Sequence, residues 1–156
     1  MSVVANGPHA RLAELGLELP EVVPPVASYL PAVQSGQHVY VSGQLPMAEG
    51  KLLATGKVGA GVSAEQAKQL AQRCALNALA AIDSLVGLEK VVKIVKLTGF
   101  VASAPGFTGQ PGVINGASDL FGTVFGEAGR HARSAVGVSE LPLDAPVEVE
   151  LIVEVS

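Results

Sequence analysis

The chain has 156 residues, 49% of them hydrophobic, 15% charged and only 4% aromatic: one domain around one core, apolar for its size. Its net charge of −4 and its ten scattered Lys and Arg exclude the basic footprint that nucleic acid requires and polybasic attachment to a membrane. The single cysteine excludes an internal disulfide and a multi-cysteine zinc site, and an apolar surplus beyond what one small core can hide predicts self-association.

Along the chain, Met1 to Pro8 lacks the charged-then-apolar run of a secretory leader, so the cytoplasm is the expected compartment. Pro8 to Leu17 carries Leu12 and Leu15 with Arg11 and Glu14 between them, which predicts a short amphipathic helix. Pro20, Pro24 and Pro25 then force an extended path toward Tyr29. Val39-Tyr40-Val41-Ser42 predicts a strand ending at Gly43, and Glu49-Gly50-Lys51 a turn from it to a short partner, Leu52-Leu53-Ala54.

Ser63-Ala64-Glu65-Gln66 has the form of a helix capping box. Behind it Ala67, Leu70, Ala71, Cys74, Ala78, Ile82 and Leu85 recur at helical spacing, to an end near Gly87. Within that pattern Cys74 reads as a buried, inert thiol. Val91 to Val101 predicts a strand. The uncharged run from Lys96 to Asp119 is long enough for a bilayer, but Gly99, Pro105, Gly106, Gly109, Pro111, Gly112 and Gly116 break it into strand, loop and helix. Ile114, Ala117, Phe121, Val124 and Phe125 predict the second helix, closed near Gly126. Arg133–Val138 and Val147–Val155 predict two last strands, with Asp144-Ala145-Pro146 in the turn between them. The order β-β-α-β-α-β-β gives an α+β fold: a sheet of four to six strands, two helices on one face and the other face open to a neighbouring subunit.

Strand alternation sets Arg133 on one face with Ala135, Gly137 and Ser139, while Val136 and Val138 point the other way. An arginine above such small neighbours has space beside it for a carboxylate, which it can grip with two parallel hydrogen bonds. The other polar residues are ambiguous on sequence physics alone. Glu148 alternates with Val147 and Val149 and is one of three strand carboxylates, with Glu150 and Glu154. Tyr29 fits a surface aromatic, and Asn115 a helix start. His131, between Arg130 and Arg133, suggests a base, but no serine or cysteine nucleophile with an orienting acid can be read beside it. His9 and His38 stand alone, and no metal-ligand cluster is readable. Gly106 to Gly116 lacks the Lys-Ser/Thr ending of a P-loop and fits a flexible cleft rim.

Ser42-Gly43-Gln44-Leu45-Pro46, Lys96-x-x-x-Phe100-Val101, and Arg133-Ser134-x-Val136-x-Val138-x-x-Leu141-Pro142 followed by Val147-Glu148-Val149-Glu150 occur in the order found in the RidA (YjgF/YER057c/UK114) family, which the chain resembles. The similarity covers about residues 25–156 and leaves 1–24 as an N-terminal extension with a short helix. The resemblance implies a chorismate-mutase-like fold with a mixed, mostly antiparallel sheet, assembled as a homotrimer with a cleft between each pair of subunits. It also implies hydrolysis of enamines and imines such as 2-aminoacrylate to a 2-keto acid and ammonia, with no cofactor and no metal.

Residue by residue, the resemblance makes Arg133 the carboxylate clamp and Glu148 the carboxylate near the attacking water. Tyr29, Gly43 and Asn115 become cleft residues, Gly43 through its backbone amide. Ala135 stands where the family has a cysteine, keeping the amide and losing the thiol, and Gly137 replaces a usually larger residue. The expected partners are other copies of the chain and a small carboxylate-bearing metabolite. Two further functions stay open: a non-catalytic trimer that binds a carboxylate or carbonyl metabolite, favoured by Ala135 and Gly137, and an endoribonuclease, disfavoured by the acidic charge.

Overall fold

The computed structural model describes residues 7–156; most of the segment used above to judge a leader lies outside them. α1 (Pro8–Glu14) starts on a proline, which has no amide to leave unpaired there, and buries Leu12 while Leu15 stays exposed. α2 (Ala64–Leu85) begins as expected: the Ser63 side chain accepts from the Gln66 amide. Its stripe Ala67, Leu70, Ala71, Cys74, Ala78 and Ile82 is buried, but Leu85, in the last turn, is exposed. α3 (Gln110–Phe125) starts earlier than the apolar pattern indicated, so Asn115 lies in its second turn rather than at its start.

β1 (Ala32–Ser35), β2 (His38–Gln44), β5 (Val91–Ala102), β6 (Ala132–Val138) and β7 (Val147–Val155) form one sheet in the order β1-β2-β7-β5-β6. β5 and β6 run parallel, joined through α3, and the other pairs are antiparallel. The architecture is therefore α+β with a mixed, mostly antiparallel sheet. Val39 and Val41 of β2, Leu97 and Val101 of β5, and Val147, Val149, Leu151, Val153 and Val155 of β7 join Leu79, Ile82, Ile114 and Phe121 of the two long helices in one buried core. Each fully buried side chain of this kind contributes about 1.5–3 kcal/mol.

One strand pairing differs from expectation. β2 does not turn at Glu49-Gly50 to meet Leu52; it pairs with β1 across the two-residue turn Gly36-Gln37, where Gly36 takes φ +60°. Met47–Ala48 (β3) and Lys51–Leu52 (β4) instead make a separate hairpin. β1 was illegible because it is a four-residue edge strand with only Ala32 buried, and so has no alternation to read.

The uncharged stretch from Lys96 to Asp119 is the end of β5, a loop and the first half of α3. Among the described residues no helix is long and apolar enough to cross a membrane.

Candidate functional site

The predicted site residues fall into two groups on opposite faces of the sheet. Arg133 and Ala135 pair in register with Leu97 and Gly99 and so share the face that packs on the helices. β6 is an edge strand, and there the cover is α3. Nη1 of Arg133 donates to Asn115 Oδ1 at 2.9 Å and to Ser118 Oγ at 3.1 Å, and Nη2 donates to the Pro111 carbonyl at 3.0 Å. All three acceptors are neutral, and no carboxylate of the described residues pairs with this guanidinium. A guanidinium has five N–H donors. Three are used, which leaves the two that a bidentate carboxylate takes.

The same contact orients Asn115. Arginine cannot accept, so the amide oxygen must face it and the Nδ2 donors face elsewhere. Ala135 lies two residues along the strand, half-buried. Gly137, next on that face, is explained by Gln110: a Cβ there would lie 2.7 Å from Gln110 Nε2 and 3.0 Å from Ser103 Oγ. The Gln110 amide is fixed across the glycine by donating to Ser103 Oγ and the Phe107 carbonyl. Gln110, the first residue of α3, is thus tied to the Arg133 face, and residues 110–116 of the stretch expected to be a flexible rim are helix.

Glu148 sits on the open face of β7, opposite Phe100 of β5. With Tyr29 and Gly43 it lines a cleft of about 1440 Å³, whose other walls include Arg73, Asn77, Pro142 and the segment Leu17–Val26. Gly43 lies where the pairing of β2 with β7 shifts register, between Val41 and Gln44. A Cβ on Gly43 would come within 2.3 Å of Glu148 Oε2, so only glycine lets the carboxylate rest against this backbone. Burial first, and the neighbouring Glu150 charge second, push the Glu148 carboxyl above the ordinary glutamate range. The Ser42 hydroxyl donates to the Leu30 carbonyl and its amide to that of Pro31, which pins the approach to Tyr29 beside the strand.

Tyr29, Gly43 and Glu148 therefore share one cleft, and Arg133, Asn115 and Ala135 share the other group. A single copy does not bring the two together: the cleft lining contains no residue of the Arg133 group. Sequence reasoning missed Ser118, Gln110 and Arg73. Ser118 was recoverable, since it lies three residues after Asn115 on the same helix face. Arg73 gave no signal; its Nε donates to the Met47 carbonyl, tying α2 to the β3–β4 hairpin.

Cys74 is fully buried, and its thiol is held well above the ordinary range by desolvation and then by the Glu148 charge, which fits the inert role expected of it. His9 does not stand alone: its Nε2 lies 3.1 Å from Asp83 Oδ1 and 3.7 Å from Glu89 Oε2, in an exposed cluster that links α1 to the end of α2. The fold joins residues that are far apart in sequence, so spacing could not show it.

The profile described as "YjgF/chorismate_mutase-like, putative endoribonuclease" matches residues 9–155. The chain belongs to this family. The YjgF match takes in α1 and the proline segment as well as the sheet. Protein TCP17 of Trypanosoma cruzi is 45% identical over 159 residues, which span 100% of this chain and 99% of that protein. The crystal structure of Atu1372 from Agrobacterium tumefaciens, described as of unknown function, is 48% identical with a TM-score of 0.90, covering 96% of this chain and 92% of that one. A protein of Shewanella oneidensis, described as a putative endoribonuclease, is 35% identical with a TM-score of 0.93, covering 96% of this chain and 100% of that one.

Proposed function

We propose that this YjgF-family chain hydrolyses reactive enamines and imines of the 2-aminoacrylate type to a 2-keto acid and ammonia. The sites are clefts between the subunits of a cytoplasmic homotrimer. There Arg133, Asn115 and Ala135 of one copy face Tyr29, Gly43 and Glu148 of the next. The observation that carries this is the Arg133 guanidinium, held by three neutral acceptors with two donors unused.

Arg133 grips the substrate carboxylate and so fixes the imine carbon, which turns an encounter with water into an oriented reaction. Glu148 takes a proton from the water as its oxygen bonds to that carbon, while the C=N π bond opens and the nitrogen takes up a proton. The resulting amino alcohol then expels ammonia: the C–N bond breaks as the hydroxyl proton passes to nitrogen and the carbonyl forms, which leaves Glu148 as it began. A carboxyl raised above its ordinary range is better matched to this exchange near neutrality than an exposed one. The test is to generate imino acids with a dehydratase and follow keto acid release. Acceleration by the protein, abolished in Arg133→Ala, is expected; no acceleration, or an unchanged one in that variant, rejects the reading.

The separation of the two groups within one copy favours a second reading, a non-catalytic binder of small carboxylate or carbonyl metabolites. Tight 2-keto acid binding without turnover distinguishes it. RNA cleavage, raised by the description of the Shewanella relative, is opposed by the −4 charge; cleavage by scrupulously purified protein would reverse that ranking.

A further inference from the structure

His131, just before β6, lies against both Gly129 and Ser118. Its Nδ1 is 2.6 Å from the Gly129 carbonyl oxygen and its Nε2 is 2.9 Å from Ser118 Oγ. A carbonyl can only accept, so Nδ1 carries a proton. In the neutral ring Nε2 is then a bare acceptor, and the Ser118 hydroxyl must donate to it. The same oxygen is 3.1 Å from Arg133 Nη1, which can only donate. With its hydrogen committed to His131, Ser118 presents a lone pair to Arg133. Phe121 and the imidazole pack edge to face, ring centroids 6.0 Å apart at 85°, which restrains the imidazole plane.

We propose that Ser118 and His131 are positioning residues for Arg133. Gly129, His131 and Ser118 form a hydrogen-bonded chain of fixed polarity that holds Nη1 and keeps the two unused guanidinium donors in place for a carboxylate. The proposal rests on the reading of Arg133 as a clamp. A serine and histidine at this distance also have the spacing of a nucleophile and its base. Here, though, the Ser118 oxygen already accepts from a cation, which withdraws the electron pair that attack would need. Without His131 the hydroxyl loses the acceptor that fixes its torsion and is free to rotate, so the lone pair it offers Nη1 is no longer held in one direction.

Nitrogen-15 NMR of the full chain tests the chain of contacts without any ligand. For the neutral imidazole the expected result is a proton on Nδ1 of His131, with Arg133 Nη protons that are resolved and slow to exchange. Ser118→Ala should merge the Arg133 signals, and Ser118→Thr, which keeps the hydroxyl, should restore them. His131→Gln, whose amide oxygen can take the hydroxyl proton, should preserve them and His131→Leu should not; this pair reads the same chain if Ser118→Ala fails to fold.

In parallel, pyruvate binding by calorimetry should weaken roughly three- to tenfold in Ser118→Ala, because the ligand must then order a guanidinium that the serine no longer holds. It should return in Ser118→Thr. Unchanged Arg133 signals in Ser118→Ala and in His131→Leu, or a His131 proton on Nε2 alone, overturn the proposal. Arg133 signals that respond as expected in a protein that binds no pyruvate uphold the positioning and reject the clamp.

Discussion

Arg133 and Glu148 illustrate two uses of a charged side chain on a strand. Arg133 is immobilised by neutral acceptors and loses none of its charge to an internal partner. Lysine cannot reproduce a planar fork with three fixed bonds and two spare donors. Arg133→Lys is therefore expected to lower kcat/KM for imino acids at least tenfold, mainly through KM, with the thermal midpoint little changed. Glu148 is costly to ionise where it sits. Its folded-state pKa lies above the unfolded one, so the penalty on folding is absent at pH well below the ordinary value of 4.5, grows as pH rises toward the raised folded pKa and is complete above it. Glu148→Gln should then melt higher than wild type at neutral pH, converge with it in acid, and lose activity; calorimetric melts across pH check the sign. Gly43→Ala must push Glu148 aside. It is expected to leave the circular dichroism spectrum unchanged while reducing turnover nearly as far as Glu148→Gln does.

At the scale of elements, two glycines set where α3 sits and thus where Asn115 and Ser118 stand. A Cβ on Gly116 would lie 1.9 Å from the Lys68 carbonyl oxygen, so α2 and α3 touch backbone to backbone there. A Cβ on Gly99, the register partner of Ala135, would lie 2.4 Å from Ile114 Cδ1. Gly99→Ala should cost about 1–3 kcal/mol by overpacking, read from the urea midpoint. By lifting the helix turn that carries Asn115, it should also weaken 2-keto acid binding. The helices themselves were legible, because apolar periodicity, the Ser63 cap and the closing glycine agree. The start of α3 was not: Gln110-Pro111-Gly112 has no apolar period, and its helical state follows from packing and from Gln110 bonding back across the rim.

For the whole molecule, the question is what covers the second face of the sheet. The helices cover one face only; on the other, Val33, Tyr40 and Val136 are exposed, Val136 by 43%, with Phe100 and Ile152 half-buried among them. A second copy on this face would hide the apolar surplus noted in the composition and set the Glu148 group against a foreign Arg133 group. Sedimentation should find a trimer for the wild type. Val136→Asp, which places a charge on that face, should give smaller species that lose imino acid hydrolysis while keeping the fold.

Periodicity in the chain settled the two long helices, four of the five strands of the main sheet and the small-residue face of Arg133, because each depends on neighbours within a few positions. The Glu148 face followed from the same alternation, though not whether that carboxylate was solvated or lodged against a backbone. Tertiary structure decided the rest: the β1–β2 hairpin, the three acceptors on Arg133, the seat of Glu148 on Gly43 and the link from His131 to Ser118. Each of these joins an edge, a loop or a pair of segments whose meeting depends on how sheet and helices pack, and local spacing carries no record of that packing.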